Sequence, residues 1–120
     1  MLSLFSAAIP GQGGYGHINE QYQSYWIQKF LGHNYTAFDL IRHRVWGRDD
    51  CNWWYQQNLL VFVNTAAVES FQLVEEPFVP DLVHPKLYDR TRDPTNRGGR
   101  EILRSIKALF LRKLRALGGS

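Results

Sequence analysis

Apolar segments along the chain predict a small sheet with one helix packed on it. The run Leu2 to Ile9 is typical of a strand buried on both faces, as in a parallel sheet. Tyr35 to Ile41 and Gln57 to Asn64 have the composition of two further strands. From Asn19 to Leu31, aromatic and apolar residues recur at helical spacing. This order predicts an α/β fold whose third strand, reached without a crossover helix, is more easily antiparallel.

The other segments predict long connections, a linker and a terminal helix. Arg42 to Gln56 is rich in Arg, Asp and Trp and is longer than most connections, a length at which functional loops are common. Residues 65–81 are polar and predict irregular structure. We divide the chain into a domain at 1–88, a flexible linker at 89–99 (DRTRDPTNRGG) and an amphipathic helix at 100–117.

Composition and charge narrow the function classes. With 120 residues, of which 44% are hydrophobic, the chain can form one domain with its own core. Cys51 is the single cysteine, and we find no signal peptide or membrane-spanning run, so we expect a cytoplasmic protein. Seven of the 14 Lys and Arg residues, but only one of the 11 Asp and Glu residues, lie in residues 97–120. The positive charge therefore belongs to the tail, and we expect no nucleic-acid partner.

A glycine-rich loop follows the first predicted strand. Gly11 to Gly16 (GQGGYG) matches GxGxxG, a helix comes after it, and Asp39 lies at the end of the next strand. This arrangement indicates a dinucleotide-binding module as one interpretation. Against it, Glu20 falls in the first turn of the predicted helix, where its carboxylate would repel a pyrophosphate. The dinucleotide module stays open as an alternative function.

A second interpretation uses more of the chain. Short clusters occur in one order: LFSAAIPGQGG (4–14), GHINEQ (16–21), SYW (24–26), FD (38–39), IR (41–42), VW (45–46), WWYQQN (53–58) and VHPKLY (83–88). In this order they resemble the later part of a bacterial family of class I S-adenosylmethionine-dependent methyltransferases, often encoded among glycan-building genes. The resemblance covers most of the predicted domain at 1–88.

The resemblance implies a partial Rossmann-like methyltransferase sheet. The three strands would be the fifth, sixth and seventh of the complete enzyme, with the last one antiparallel between the other two. S-adenosylmethionine would be the co-substrate, held by a glycine-rich turn after the first strand and an acidic residue after the second. No residues before Met1 supply these features. We therefore expect the chain alone to bind no donor and to be inactive, until a missing amino-terminal half or a partner chain completes it.

The segment after the first strand holds the predicted catalytic residues. Methyl transfer needs an acceptor aligned with the donor's methyl group and often a base. His17 and Glu20 are of suitable type, and they follow a strand end, where open α/β sheets bind ligands. We predict both as catalytic, with Asn19 and Gln21 contacting the substrate. Helix capping by Asn19 and Glu20 stays open as a structural explanation.

A second group of residues predicts the acceptor site. A guanidinium fork, aromatic faces and an amide together suit a polar acceptor, either a small molecule or a glycan. Because the two tryptophans at 53 and 54 are adjacent, only one of them can line a pocket, and core packing competes for both. Sugars, phenols, amines and lipid-linked substrates all stay open. The predicted acceptor-binding residues are Arg42, Trp46, Trp54, Tyr55 and Asn58.

The remaining chemistry concerns metals and the terminal helix. The four histidines and Cys51 show no ligand spacing, so we predict no metal site. The helix at 100–117 combines a basic face with an apolar stripe, and such helices can contact an anionic membrane surface. Alternatively, its stripe packs on a core or a partner. A noncatalytic interaction module built on this helix is the third function class that stays open.

Overall fold

The computed structural model describes residues 1–93, 95 and 99–117, which form an α/β structure. The strands are β1 (Leu2–Phe5), β2 (Tyr35–Phe38) and β3 (Leu60–Asn64). The α-helices are α1 (Gln23–Leu31), α2 (Arg42–Val45), α3 (Trp53–Asn58), α4 (Pro85–Arg92) and α5 (Gly99–Leu117). Two 3₁₀ turns, Thr65–Ala67 and Glu69–Phe71, follow β3.

The three strands form one sheet with β3 at its centre. Both pairings are antiparallel, with Leu4 opposite Val61 and Ala37 opposite Phe62. β1 and β2 therefore run in the same direction. β3 is apolar along almost its whole length because its central position buries both of its faces. The predicted α/β class and the antiparallel third strand are confirmed.

Helix α1 covers one face of the sheet through aromatic contacts. Phe30 of α1 stacks on Phe62 of β3, with ring centroids 3.9 Å apart. Phe5 of β1 contacts Trp26 and Phe30 with centroid distances of 5.2 Å. The helical spacing of aromatic residues in the sequence therefore marks the side of α1 that packs on the strands.

The opposite face of the sheet is covered unevenly. Phe38, Val61 and Val63 form a buried cluster, against which residues of the segment after β3 pack. Leu4 lies opposite Val61 in the register and so shares its face, yet Leu4 is 61% exposed. The segment after β3 thus covers the β2 side of this face more completely than the β1 side.

The strands are shorter than predicted. β1 ends at Phe5 and β2 at Phe38, rather than at Ile9 and Ile41. The reason is that β3 begins only at Leu60, since the residues before it belong to α3, and edge strands extend no further than the partner that accepts their hydrogen bonds.

The start of α1 also differs from the prediction. The helix begins at Gln23 rather than at Asn19. One N–H group of its first turn is bonded from a distant segment, because the Ser24 backbone N–H donates to Asp81 Oδ1 at 2.7 Å. The interpretation of Asn19 and Glu20 as helix caps is therefore wrong.

Two predicted irregular segments contain helix. The connection predicted over 42–56 includes α2 and the first residues of α3. The predicted linker at 89–99 begins inside α4, which continues to Arg92. Within that linker, residues 94 and 96–98 lie outside the described residues.

The chain divides into two compact units, Met1–Leu87 and Tyr88–Ser120. The first holds the sheet together with α1, α2 and α3. The second holds α5, which spans Gly99–Leu117, where the sequence predicts a helix over 100–117.

Candidate functional site

The glycine loop is held by a carboxylate from its own chain. Glu20 Oε2 accepts a hydrogen bond from the Gly11 backbone N–H at 3.0 Å, and Oε1 accepts one from Gly13 at 3.1 Å. Both glycines have positive φ, 80° and 67°, a conformation that glycine adopts without steric cost. Glu20 therefore fixes the shape of the loop that follows β1.

His17 lies beside that carboxylate. Its Nδ1 is 3.6 Å from Glu20 Oε1, and its side chain is 40% exposed. The imidazole also packs on Gly14, where an added Cβ would stand 2.6 Å from His17 Cε1. The structure thus brings the two predicted catalytic residues together. A carboxylate at Nδ1 favours the tautomer that leaves Nε2 free to accept a proton.

Asn19 and Gln21 lie in the same segment and contact each other. Gln21 Nε2 donates to Asn19 Oδ1 at 3.2 Å, and the Gln21 backbone N–H donates to Ala8 O at 3.2 Å. The second bond ties the segment back to the chain leaving β1. Asn19 is exposed and Gln21 half-buried, so both amides can be reached by a ligand at the glycine loop.

This geometry differs from a dinucleotide fingerprint. In the fingerprint the loop leads directly into a helix whose amino terminus holds the pyrophosphate. Here α1 begins seven residues after Gly16, and the loop N–H groups of Gly11 and Gly13 already donate to Glu20. The sequence predicts Glu20 in the first turn of the helix, but Glu20 lies before α1. Its carboxylate occupies the place in the loop that an anion would take.

Buried amides join the glycine loop to the start of β3. Asn58 Nδ2 and Gln57 Nε2 both donate to Gln12 Oε1, at 2.8 and 3.1 Å. Gln23 Nε2 donates to Asn58 Oδ1 at 3.3 Å, and Gln57 Oε1 accepts the His84 backbone N–H at 2.7 Å. We call the side chains of Gln12, Gln23, Gln57 and Asn58 the amide cluster; all four residues are buried. Asn58, predicted to bind acceptor, is used here to hold the fold together.

Arg42 is also turned inward. Its side chain is fully buried, and Nη2 lies 2.9 Å from Asp39 Oδ2. Nη1 donates to Pro80 O at 2.7 Å and Nη2 to Val79 O at 2.8 Å. These bonds connect the end of β2 to the irregular segment before α4. In this structure the guanidinium is enclosed and pairs within the chain, so it is not presented to an acceptor, and its role as an acceptor clamp stays a prediction.

The aromatic residues of the predicted acceptor site remain at the surface. Ring contacts run from Trp46 to His84 (4.9 Å between centroids), from His84 to Trp53 (6.2 Å), from Trp53 to Trp54 (5.7 Å) and from Trp54 to Tyr55 (6.2 Å). We call these five residues the aromatic row. Trp46, Trp54 and Tyr55 are 37–45% exposed. The row therefore offers flat apolar faces with polar edges to a ligand.

His84 lies in the middle of the aromatic row, and its surroundings favour the neutral imidazole. Burial lowers the pKa of His84 below its ordinary value of 6.5, and the positive charge of Lys86 lowers it further. Its Nδ1 accepts the Lys86 backbone N–H at 3.2 Å. The uncharged ring can then pack between Trp46 and Trp53 without a buried charge.

Sequence reasoning missed Gln12, Gln57 and His84 as organisers of this region. Gln12 occupies a variable position of the glycine pattern, and no spacing rule marks a buried amide. The run Gln56-Gln57-Asn58 directly before an apolar strand is the one available signal, because three polar residues at that point need partners once the strand is buried.

Other site types are not evident in the part of the chain that the structure describes. There, no three His, Cys, Asp or Glu side chains come close enough together to hold a metal ion. None of the described helices is long and apolar enough to cross a membrane. No protein-family model, no curated protein and no solved structure matches this chain.

Proposed function

We propose that residues 1–88 form the acceptor-side part of an S-adenosylmethionine-dependent methyltransferase. The strand arrangement carries this proposal: β3 lies antiparallel between β1 and β2, which run in one direction. This is the order that the resemblance implies for the fifth, sixth and seventh strands. A dinucleotide module would instead use parallel strands joined by crossover helices.

The outer edge of β1 is where we place the junction with a donor-binding half. Among the described residues β1 pairs only with β3, and Leu2 and Leu4 on this strand are exposed. A further strand added here would pair with the backbone groups of β1, and the structure around it would cover both leucines. Donor binding and stability would then be gained together.

In the proposed reaction a hydroxyl or amine of the acceptor attacks the methyl carbon of S-adenosylmethionine. The bond between that carbon and sulfur breaks, the sulfur keeps the electron pair, and S-adenosylhomocysteine leaves. His17 takes the proton of the acceptor at Nε2, because Nδ1 faces Glu20. Glu20 acts as a positioning residue, since its oxygens bind the loop N–H groups and Oε1 lies 3.6 Å from the imidazole Nδ1.

The aromatic row is the surface on which we place the acceptor. Gln12 belongs to the glycine loop and bonds Asn58 at the end of α3, the helix that carries Trp54 and Tyr55. The loop and the row are therefore fixed to one another through the amide cluster. A small molecule or glycan with apolar ring faces and polar edges suits these exposed rings.

The test of this proposal uses a restored enzyme, in which this chain is joined to the donor-binding half of a methyltransferase that its clusters resemble. Transfer of labelled methyl from S-adenosylmethionine to glycan and small-molecule acceptors is measured. We expect His17→Ala to lower turnover by about 100-fold or more, the usual contribution of a general base. His33→Ala, at an exposed histidine after α1, is the matched control and should leave turnover unchanged. Equal losses in both variants would contradict the role of His17.

A second pair of variants tests the positioning of His17 without removing it. Gly14→Ala places a methyl group against the imidazole, whereas Gly16→Ala meets nothing within 4 Å. Both glycines have positive φ, 135° at Gly14 and 77° at Gly16, so an alanine strains the backbone in both variants, and more at Gly14. We expect turnover to fall more for Gly14→Ala and the pH profile of the reaction to shift only in that variant.

The present chain alone should bind no donor. Isothermal titration with S-adenosylmethionine is expected to give no heat beyond dilution. A micromolar dissociation constant would contradict the assignment of these strands to the acceptor side.

A further inference from the structure

Helix α5 carries an apolar stripe that faces solvent. Its described members recur three or four residues apart, which places them along one side of a helix. Their side chains are 57–67% exposed, too much for residues of a packed core. These members are Leu103, Ile106, Leu109 and Phe110.

Positive charge surrounds this stripe. The sequence of α5 contains one acid, Glu101, and six basic residues: Arg100, Arg104, Lys107, Arg112, Lys113 and Arg115. Arg104 and Arg115 are about three turns apart and project from the side opposite Ile106. Lys113 lies within the stripe, where its aliphatic stem can follow the apolar surface while its ammonium group reaches polar surroundings.

Charge complementarity decides what covers the stripe. A second copy of α5 would bring mostly cations against cations, because Glu101 is the single acid in the sequence of this helix. An anionic bilayer satisfies both sides of the helix, because acyl chains accept the stripe and headgroup phosphates accept the cations. The six Lys and Arg residues also prevent α5 from crossing the hydrocarbon, so the helix would lie in the plane of the interface.

We propose that α5 is a membrane-surface anchor that binds anionic phospholipid. At 19 residues the helix extends about 28 Å, enough to place several turns of the stripe in one leaflet. Its function would be to hold the sheet unit, Met1–Leu87, at a bilayer. This proposal is independent of the methyltransferase assignment.

The experiment is co-sedimentation of the full chain with vesicles. Equal mixtures of phosphatidylglycerol and phosphatidylcholine are compared with phosphatidylcholine alone, at low and at high salt. We expect at least about ten-fold more bound protein with the anionic vesicles at low salt, and most of that difference to disappear at high salt.

Matched variants separate the stripe from the charges. Leu103→Gln removes a stripe residue. Leu111→Gln changes the same residue type on the charged side of α5, where Leu111 projects between Arg104 and Lys107. The double variant Arg104→Gln with Lys107→Gln removes two cations of α5. The control Arg44→Gln with Lys86→Gln removes two exposed cations of the sheet unit, so its total charge equals that of the α5 charge variant. Binding should fall for Leu103→Gln and for the α5 charge variant, and hold for both controls.

Several results would overturn the proposal. They are sedimentation with neither vesicle type, equal sedimentation with both, and equal losses in a variant and its matched control. Light scattering in the absence of lipid provides the remaining check: a stable dimer that Leu103→Gln converts to monomer would mean that a second copy, and not a bilayer, covers the stripe.

Discussion

The residues predicted to bind the acceptor separate into a buried group and an exposed group. Arg42 and Asn58, the most polar of them, are enclosed and bonded to the rest of the first unit. Trp46, Trp54 and Tyr55, the most apolar in surface, remain accessible. Hydropathy alone would give the reverse distribution. The polar side chains of this group therefore mark places where the fold needs hydrogen bonds. The exposed aromatic rings are the better indicator of a binding surface.

The burial of Arg42 has its physical cause in the segment between the 3₁₀ turns and α4. This stretch has no strand partner in the described sheet, so its carbonyl groups need donors from side chains. Arg42 supplies them to Val79 and Pro80 with a planar group that carries five N–H bonds. Helix α3 has only six residues and buries its carboxyl-terminal half, which consists of Gln56, Gln57 and Asn58. Its tryptophan at 54 and its tyrosine are left outward.

The largest effect on stability is expected from the loss of the Arg42 guanidinium. We expect Arg42→Met to lower the free energy of unfolding by about 3–5 kcal/mol, because Asp39 and two carbonyls lose their buried cation. Urea unfolding followed by tryptophan fluorescence measures it. The control Arg44→Met, at an exposed arginine of the same helix, should change the free energy by no more than about 0.5 kcal/mol. A stable Arg42→Met protein would return Arg42 to the list of acceptor ligands.

The amide cluster should show the next largest effect. Gln57→Leu leaves the His84 backbone N–H without an acceptor in a buried place. We expect this variant to lose about 1–3 kcal/mol of stability, the usual penalty for such a group. Gln28→Leu, at an exposed position of α1, makes the same chemical change as a control. Similar urea midpoints for the two variants would show that the cluster is not structural.

The sequence predicts the sheet better than the site, for a physical reason. Apolar runs such as Leu60 to Val63 identify strands because burial on both faces needs continuous hydrophobicity. Strand ends are set by pairing partners that lie far away in the sequence, so β1 and β2 were predicted too long. The start of α1 was missed because its cap comes from Asp81, 57 residues further along the chain.

For the site, the sequence groups residues only where they are close along the chain. His17 and Glu20 are three residues apart, and the structure places them 3.6 Å from each other. The amide cluster joins Gln12 to Asn58 across 46 positions, and no local pattern predicts that contact. The inward turn of Arg42 depends on Pro80, which lies 38 positions further along the chain.

A smaller effect on stability is expected from the titration of His84, the buried member of the aromatic row. The folded-state pKa of His84 lies below its ordinary value of 6.5, so the unfolded chain binds this proton more tightly. The stability from the neutral imidazole is fully present above about pH 6.5 and is lost as the pH falls below that value. The urea midpoint should therefore fall as the pH is lowered from 7.5 to 5.5. In the His84→Phe variant the midpoint should fall less. His33→Phe, at an exposed histidine, should leave it unchanged.

The smallest effect on stability, and the sharpest test of the exposed group, is expected for Trp54→Ala. Because its ring lies at the surface of α3 and alanine favours helix, the free energy of unfolding should change by less than about 1 kcal/mol. Trp26→Ala is the matched control, since that ring packs on Phe5 and its loss should cost at least about 3 kcal/mol. In the restored enzyme, Trp54→Ala should raise the KM for the acceptor with kcat unchanged, as expected for a group that binds substrate and transition state equally. An unchanged KM together with unchanged stability would remove the aromatic row from the acceptor site.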